Sequence, residues 1–575
     1  MTEHGESCPQ FHEPILPTRV IDIGPVDREP TPYLLITNGK KGSWVALSHC
    51  WGLARHYLTT STTLPERQLS IHLSDLPQSF RDAIIITRRL GFQYVWIDSL
   101  CIIQENHKDW VSESAQMQRY YKEAIFTLAA SCAKGDEVGF LKPRDPTSSL
   151  TVDGLMGKVY YREKFEVGQF KDRIGFLAKR GWALQEHVLS VRTLNYTTTQ
   201  IVWECQAYKY CESDISPQEN DLEGFLDNSK RFFLTPDIGR ERFPDSRALM
   251  DPMIRWYTLV SDYVVRDLTV FQDRLPAISG IAREICYQSG YTYLAGLWVE
   301  DLNRGLLWNV YGDNYLPVEY RAPSWSWASL GGDPADLMDP HGHLYYVRSM
   351  INPVELDSKA NLIGYHLELA DNDRYGRVTT GWITLRGLSL ALSSWRGTSG
   401  PYFNARHERK PYKSHYLSGP RATMASSIPK PDQLICFLDY IPLPRTWAKG
   451  TQDVENNEEA EEEGRDGHSD ENKVTKKHHK TIGETVEDEN DHGNKENSMS
   501  VEYRSEDAML LKEMGNTILL RVSTWDWSGN ERRMVSQALI LIPEGDTFRR
   551  VGIAEVPHMN GLEEQGWEWR EFKIV

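Results

Sequence analysis

Three segments of the chain each place an apolar run directly before a cluster of small, polar and reactive residues, and this pattern constrains the fold most. They are WVALSHCWG at residues 44–52, YVWIDSLCIIQ at 94–104 and RGWALQEHVLS at 180–190. In open α/β sheets, ligands and catalytic groups collect beyond the carboxyl ends of the strands. The pattern therefore predicts a functional site in the N-terminal third, which the rest of the chain supports or regulates.

The N-terminal third alternates between patterns typical of strands and of helices. WVALS, YVWID and IFTLAAS are near-continuous apolar runs, as in strands that are covered on both faces. Between them, apolar residues recur at helical spacing from Leu76 to Leu90 and again at about residues 109–124. This alternation predicts a parallel sheet with helices, and RGWALQEHVLS is predicted to be a further helix.

Beyond this unit the sequence becomes helical and then β-rich. Amphipathic segments occupy residues 220–320, and short β-type runs dominate after PSWSWASL. With 18 tryptophans in the chain, the SWSW pair is interpreted as core packing, with a carbohydrate or peptide platform as the alternative. The predicted organisation is an N-terminal extension at 1–42, an α/β domain at 43–205, a helical region at 206–330 and a β-rich region at 331–575.

Charge argues against nucleic acid as a general partner, because the formal net charge is −17 and a phosphate backbone needs a basic protein face. The charge is uneven, since residues 451–500 hold 16 acidic and 6 basic side chains. The segment at about 449–505 lacks apolar periodicity, which predicts a disordered acidic insert between two strands of the β-rich region. A solvated loop is the simpler interpretation, and binding of a basic partner is the alternative.

The eight cysteines are scattered without a CxxC pair, which is typical of reduced thiols in a cytoplasmic protein. The first residues lack the pattern of a secretory signal, and no apolar run approaches the roughly 20 residues of a membrane helix. The sequence therefore predicts a soluble, cytoplasmic protein without a membrane-spanning segment. No metal site is predicted, because the spacing of the candidate ligands matches no zinc pattern; these are His49, Cys50, His56, Cys101 and His107.

The three segments resemble the motifs of the heterokaryon incompatibility (HET) domain of filamentous fungi. ALSHCWG corresponds to the first motif, GFQYVWIDSLCIIQ with DWVSESAQMQRYYKEA to the second, and RGWALQEHVLS with TLNY to the third. Order and spacing agree over residues 43–205. Later segments, YLAGLWVEDLNRGLLW and YRAPSWSWASL, resemble the region that commonly follows in this family.

The resemblance implies a role in non-self recognition and programmed cell death, with other incompatibility proteins or a second copy of the domain as partners. The HET domain is similar to TIR signalling domains, which implies a Rossmann- or flavodoxin-like parallel sheet. Some TIR domains cleave NAD at the glycosidic bond, so NAD is a possible substrate and the chain a possible NAD(P) glycohydrolase. His49 and His187 stand where the family usually has Tyr and Arg, which leaves an inactive regulatory paralogue as a further alternative.

Glu113 and Asp98 are the candidate catalytic residues. On a helical wheel Glu113 lies about 40° from Met117 and about 60° from Trp110, so partial burial should raise the pKa of its carboxyl and suit it to stabilising a ribosyl cation. A first-turn carboxylate that complements the helix dipole is the alternative interpretation. Asp98 ends the YVWID strand, where it could hold a ligand hydroxyl or cap the next turn.

Seven further residues are candidate ligand-binding residues. Ser48, His49 and Cys50 lie at the end of the first strand, next to Trp51. Trp51 could stack on a base or nicotinamide ring, although buried packing is the commoner use of tryptophan. Arg180, Gln185 and Glu186 belong to the third segment. Arg180 and Glu186 are six residues apart and should not share a helix face, so attachment of this segment to the sheet is favoured over catalysis.

Overall fold

The computed structural model describes a large part of the 575-residue chain. Its description covers residues 8, 13–25, 30–52, 57–142, 149–154, 157–162, 175–206, 208–212, 214–219, 230, 251–264, 266–311, 319–330, 343–346, 357–395, 402–403, 434–438, 516–527, 533–557 and 566–575. The predicted acidic insert at about 449–505 lies outside the described residues, as does His56.

The first part of the chain forms a nine-stranded mixed sheet and a separate hairpin. The strands in chain order are β1 Arg19–Asp22, β2 Tyr33–Ile36, β3 Trp44–Ser48, β4 Tyr94–Ile97, β5 Phe126–Ala129, β6 Ser149–Gly154, β7 Gly157–Arg162, β8 Arg192–Tyr196, β9 Ile201–Cys205, β10 Tyr208–Cys211 and β11 Asp214–Glu219. The sheet order is β11-β10-β9-β8-β5-β3-β4-β1-β2, and β6 pairs with β7 alone.

The centre of this sheet is parallel, as the sequence predicts. β3 pairs in parallel with β4 on one side and β5 on the other, and β5 pairs in parallel with β8. Every residue of β3, β4 and β5 is buried. Their apolar runs are continuous because strands in the middle of an α/β sheet are covered on both faces.

The edges of the sheet are antiparallel, so the sheet is mixed instead of purely parallel. β8, β9 and β10 follow one another through short connections, which can join only antiparallel neighbours. At the other edge, β1 pairs antiparallel with β2 and β4, so the predicted N-terminal extension contributes to the sheet. Sequence analysis missed β1 because a four-residue strand is too short to show a period.

The described residues of this part of the chain form five helices: α1 Leu64–Leu69, α2 Gln78–Arg89, α3 Asp98–Cys101, α4 His107–Lys122 and α5 Gly181–Leu189. α2 begins after Pro77, and the chain turns at Gly91 with φ +87°. α4 begins two residues before the predicted start, because the side chain of Asn106 accepts a hydrogen bond from the backbone of Asp109.

The second part of the described chain combines helices with a larger β structure. Its helices are α6 Pro252–Tyr263, α7 Ser279–Ser289 and α8 Leu302–Gly305, and its strands are β12 Tyr293–Leu294, β13 Leu297–Trp298, β14 Trp308–Tyr311, β15 His343–Tyr346, β16 Asp357–Ser358, β17 Ala360–Leu369, β18 Val378–Ala391, β19 Tyr402–Phe403, β20 Ile435–Leu438, β21 Ile518–Trp527, β22 Arg533–Glu544, β23 Thr547–Pro557 and β24 Glu568–Ile574. β16 to β24 form one sheet, which confirms a β-rich C-terminal region.

The described residues contain two large hydrophobic cores. One lies around the parallel strands and the inner faces of α2 and α4. The other joins α6, α7 and the C-terminal sheet, and it includes the buried SWSW tryptophans Trp325 and Trp327. α5 contributes Leu184, Val188 and Leu189 to this second core, and Trp182 packs against both cores. The SWSW pair is therefore core packing, as predicted.

The packing of α7 depends on a glycine. Gly280 lies near the start of α7, and its backbone N–H donates to Gln185 Oε1 at 3.1 Å. A Cβ at this position would lie 2.9 Å from Gln185 Oε1 and 3.0 Å from both Gln118 Cβ and Leu189 Cδ1. A larger side chain would therefore have to separate α7 from α4 and α5.

Gly280→Val should lower the free energy of unfolding by about 2–3 kcal/mol, as overpacking in a filled core does. Urea denaturation followed by tryptophan fluorescence measures the change. Gly364→Val on β17 is the size-matched control, because a Cβ there would meet only the side chain of Trp382, at an ordinary contact distance of 3.7 Å. A loss for Gly280→Val no larger than for this control would contradict the packing argument.

Among the described residues, no helix combines the length and the apolar character needed to cross a membrane.

Candidate functional site

The candidate site lies where the carboxyl ends of β3, β4 and β5 meet. β3 lies between β4 and β5, so the chain leaves β3 towards one side of the sheet and later returns to the other side. Such a reversal opens a crevice outside the strand ends of α/β sheets. Ser48 ends β3 next to Ala129 at the end of β5, and Asp98 directly follows β4. The three predicted segments therefore converge.

Ser48 connects the first segment to the third. Its hydroxyl donates a short hydrogen bond to Glu186 Oε2 on α5. Both side chains are buried, at 3% and 2% exposure. Burial raises the pKa of the Glu186 carboxyl, while the charge of Arg180 and the Ser48 hydrogen bond act in the opposite direction. Tyr121 also belongs here, since its hydroxyl donates to the Leu47 carbonyl at 3.2 Å.

His49 lies between two carboxylates. Its Nδ1 is 3.7 Å from Asp98 Oδ1, and its Nε2 is 3.1 Å from Asp136 Oδ1, an ion-pair contact without hydrogen-bond geometry. The ring is fully covered and meets Phe80 edge-on at 5.1 Å. Burial alone would lower the pKa of His49, but the charges of Asp98 and Asp136 outweigh it and the pKa is raised.

Trp51 and Arg180 complete the cluster. The indole N–H of Trp51 donates to Asp98 Oδ2 at 2.9 Å, and Asp98 Oδ1 accepts from the backbone of Ser99 at 2.7 Å. Arg180 Nη1 donates to the backbone carbonyl of His49. Trp51 and Arg180 are half-buried, whereas the carboxylates that they accompany are buried.

The cluster holds three carboxylates, Asp98, Asp136 and Glu186, against the permanent cation of Arg180 and the titratable His49. Burial raises the pKa of Asp136 as it does that of Glu186, and the contact with His49 opposes the shift. Burial also raises the pKa of the Cys50 thiol to about 11, so Cys50 is a protonated and poorly nucleophilic group at neutral pH. The arrangement can exchange protons and hold positive charge, and it lacks an activated thiol.

Glu113 does not join this cluster. It is buried, and burial raises the pKa of its carboxyl, in the direction that its place on the helical wheel predicts. Its oxygen accepts from the hydroxyl of Tyr120 at 2.9 Å, and its further polar neighbours, Thr18 and Arg19, belong to the N-terminal segment around β1. The structure thus brings Asp98 and Trp51 together and places Glu113 with other partners.

The third segment differs from its predicted geometry. Arg180 precedes α5 in an extended conformation, with φ −82° and ψ 132°, so the wheel argument that separated it from Glu186 does not apply. Both residues contact the end of β3. Gln185 faces away from them and accepts from the backbone of Gly280. His187, one of the two departures from the family pattern, lies 3.4 Å from Glu204 on β9 and not at the cluster.

Asp136 and Tyr121 are members of the site that sequence analysis missed. Asp136 follows β5 in a loop without a recognisable motif, and its backbone carbonyl accepts from Ser79 at the start of α2. Its position after the third parallel strand was the available signal, because loops after neighbouring strands share one edge of the sheet. Tyr121 lies on α4 in the second motif, where helical spacing predicts core packing. Within the described part of the chain, no group of three or more His, Cys, Asp or Glu side chains is arranged for a metal ion.

The raised pKa of His49 predicts a pH-dependent stability. A folded pKa above the ordinary value of 6.5 gives stabilisation that is complete below pH 6.5 and is lost as the pH rises through the folded pKa. The contribution of His49 to the free energy of unfolding should therefore fall as the pH rises above about 6.5 through the folded pKa, and His49→Gln should flatten this part of the curve. Urea denaturation at a series of pH values measures it. His366→Gln, at an exposed histidine, is the control, and an unchanged slope in His49→Gln would contradict the prediction.

The fold and the cluster define an α/β domain in which polar side chains from separate segments meet at the ends of parallel strands. The family model described as Heterokaryon incompatibility protein (HET) matches residues 44–186, about a quarter of the chain, and this range includes every residue of the cluster. The chain therefore carries a heterokaryon incompatibility (HET) domain, which confirms the resemblance. Neither a curated protein nor a solved structure was found to match.

Proposed function

We propose that this protein is a signalling component of fungal heterokaryon incompatibility, and that its HET domain initiates programmed cell death in the cytoplasm after non-self recognition. The observation that carries the proposal is the convergence of all three HET motifs on one buried polar cluster. A cluster with several buried charges is costly to maintain, so its presence favours a function at this place. Other incompatibility proteins, or a second copy of the domain, are the partners that we infer.

Inducible expression of the full chain in a filamentous fungus tests this proposal, with viability as the readout. We expect killing by the unmodified chain and loss of killing in Glu186→Gln, which removes the buried charge but keeps the size of the side chain. Glu204→Gln, at a buried glutamate on β9, is the matched control and should kill normally. Viable cells that contain folded, unmodified protein together with its recognised partner would oppose the proposal.

A second candidate function is cleavage of NAD at the glycosidic bond. The strand order β4-β3-β5-β8 supports a TIR-like, flavodoxin-like centre, because it corresponds to the order 2-1-3-4 of that class. The specific observation that favours the chemistry is the half-buried indole of Trp51, held by Asp98 in the cluster that contains Glu186. The indole could stack on the nicotinamide ring. A carboxylate could stabilise positive charge on the ribose as nicotinamide leaves, and water would then attack to give ADP-ribose.

Incubation of concentrated protein with NAD, followed by chromatography for nicotinamide and ADP-ribose, tests this candidate. Asp98→Asn, Glu186→Gln and Glu113→Gln separate the possible roles. We expect Glu186→Gln to abolish the release of nicotinamide and Glu113→Gln to retain it, because Glu186 lies in the cluster and Glu113 does not. If the chain kills cells without releasing nicotinamide, the result supports signalling through recruitment of other proteins and contradicts NAD cleavage.

The third alternative, an inactive regulatory paralogue, rests on the two departures from the family pattern. His49→Tyr and His187→Arg restore the usual residues. Killing that appears only in this double variant would support the paralogue, and killing by the unmodified chain would exclude it.

A further inference from the structure

The turn between β17 and β18, residues 370–377, contacts the HET domain from the C-terminal sheet. We call this turn the hairpin clamp. The hairpin clamp packs against residues of the second core. Tyr375 is buried against Tyr293 with ring centres 5.1 Å apart, and Asp373 forms an ion pair with Arg283 on α7. The clamp therefore belongs structurally to the second core.

Two residues of the hairpin clamp contact α4 of the HET domain. Asp371 Oδ1 lies 3.2 Å from His107 Nε2 in the first turn of α4. The guanidinium of Arg377 lies over the indole of Trp110, 4.9 Å from the ring centre. A cation over the face of a tryptophan is a favourable contact, and it is stronger when both groups are shielded from water.

Arg377 also connects α4 with the third HET motif. Its Nη2 lies 2.6 Å from Asp273 Oδ1, and the other oxygen of Asp273 accepts from the indole of Trp182 at 3.3 Å. Trp182 in turn meets Trp110 edge-on, with ring centres 6.3 Å apart. Arg377, Asp273 and the two tryptophans thus form one contiguous contact at the junction of the two cores.

α5 connects this junction with the polar cluster at the strand ends. Its residues Leu184 and Val188 pack in the second core, whereas Glu186 on the same helix accepts from Ser48 in the cluster. Ala183 belongs to the same small apolar cluster as Cys50, the residue that follows His49. The site is therefore complete only when a helix held largely by the second core lies correctly against the HET sheet.

We propose that the hairpin clamp regulates the HET site by controlling the position of α5, so that the state of the C-terminal β-rich region decides whether Glu186 reaches Ser48. The inference rests on the proposed function for its biological meaning. Contacts of this kind suit regulation, because a junction made of ion pairs and aromatic edges can separate more readily than a continuous apolar core. Trp182 packs against both hydrophobic cores.

Alkylation of Cys50 measures the position of α5 directly. Cys50 is 6% exposed and lies in a small apolar cluster with Ala183 of α5, so displacement of α5 should expose it. The full chain is treated with iodoacetamide for a series of times, and peptide mass spectrometry follows each cysteine separately. Hydrogen exchange of residues 107–122 and 181–189 is recorded in parallel.

Arg377→Gln should increase the rate of Cys50 alkylation on the order of tenfold and accelerate exchange in α4 and α5. The double variant Arg377→Gln with Asp273→Asn removes both charges of the ion pair, so no unpaired charge is left. It is used if the single variant folds poorly, and the same increase in Cys50 alkylation is expected. Arg374→Gln is the matched control, because Arg374 lies in the same turn over Tyr375. Cys50 rates in the Arg377 variants equal to the control would overturn the proposal.

Cell viability distinguishes the two proposals. Faster Cys50 alkylation together with reduced killing in Arg377→Gln supports the clamp and its role in signalling. Faster alkylation in a chain that never kills supports the clamp and removes the proposed function. Reduced killing without any change at Cys50 or in α5 exchange overturns control through α5.

Discussion

Arg180→Met should lower the free energy of unfolding by about 2–3 kcal/mol, somewhat less than the ~3–5 kcal/mol for breaking a fully buried pair, because Arg180 is half-buried. The substitution removes the permanent cation beside Asp98, Asp136 and Glu186. It also removes the donor to the His49 carbonyl, which attaches the third motif to the first. Urea denaturation at neutral pH measures the loss, and killing should disappear with it.

The effect of Arg180→Met should shrink in acid. Burial raises the pKa values of Asp136 and Glu186, so these carboxyls become neutral at a higher pH than ordinary carboxyls and then need no cation. Lys179→Met, at the exposed neighbouring cation, is the control and should change stability by less than about 0.5 kcal/mol. An equal loss at neutral and acid pH would show that Arg180 stabilises by packing and not by charge.

Trp327→Ala should lower the free energy of unfolding by about 3–5 kcal/mol, the range for removing a large aromatic side chain from a core. Trp327 is fully buried, and its indole N–H donates to the Gly296 carbonyl at 2.8 Å. Gly296 has φ +91°, and a Cβ there would lie 2.7 Å from the indole nitrogen, so no larger residue fits beneath the ring. Thermal unfolding with hydrogen exchange of the second core measures the change.

Trp569→Ala is the control for Trp327→Ala, because Trp569 is 55% exposed on β24. Its loss should be far smaller. If Trp327→Ala destabilised the second core no more than this control, SWSW would not be core packing, and a recognition surface would have to be considered.

The sequence predicted the composition of the site better than its geometry. Ser48, His49, Trp51 and Asp98 were expected together because they follow apolar strands, and the strand ends do meet. Helical spacing failed for Arg180, because that residue lies before α5 where the wheel has no meaning. The helical wheel predicted that Glu113 is buried but did not predict which residues it contacts. Burial depends on one helix, whereas neighbours depend on the N-terminal segment that covers it.

The same distinction holds for the fold. Continuous apolar runs indicated the parallel strands β3, β4 and β5, because a strand that is buried on both faces has apolar residues at nearly every position. The antiparallel pairing at the edges was not predicted, because pairing direction depends on how the chain returns, and the short strand β1 carries too few residues for a pattern.

The amino-acid sequence by itself determined the central parallel strands, the presence of a HET domain and the core position of the Trp-rich segment. Tertiary structure alone decided that Asp136 faces His49, that Glu113 lies apart from them, and that α5 belongs to two cores at once. The reason is physical: periodicity and turn chemistry act over a few residues, whereas these contacts join segments tens to hundreds of residues apart. Such contacts become favourable only when packing elsewhere has offset the entropic cost of bringing the distant segments together.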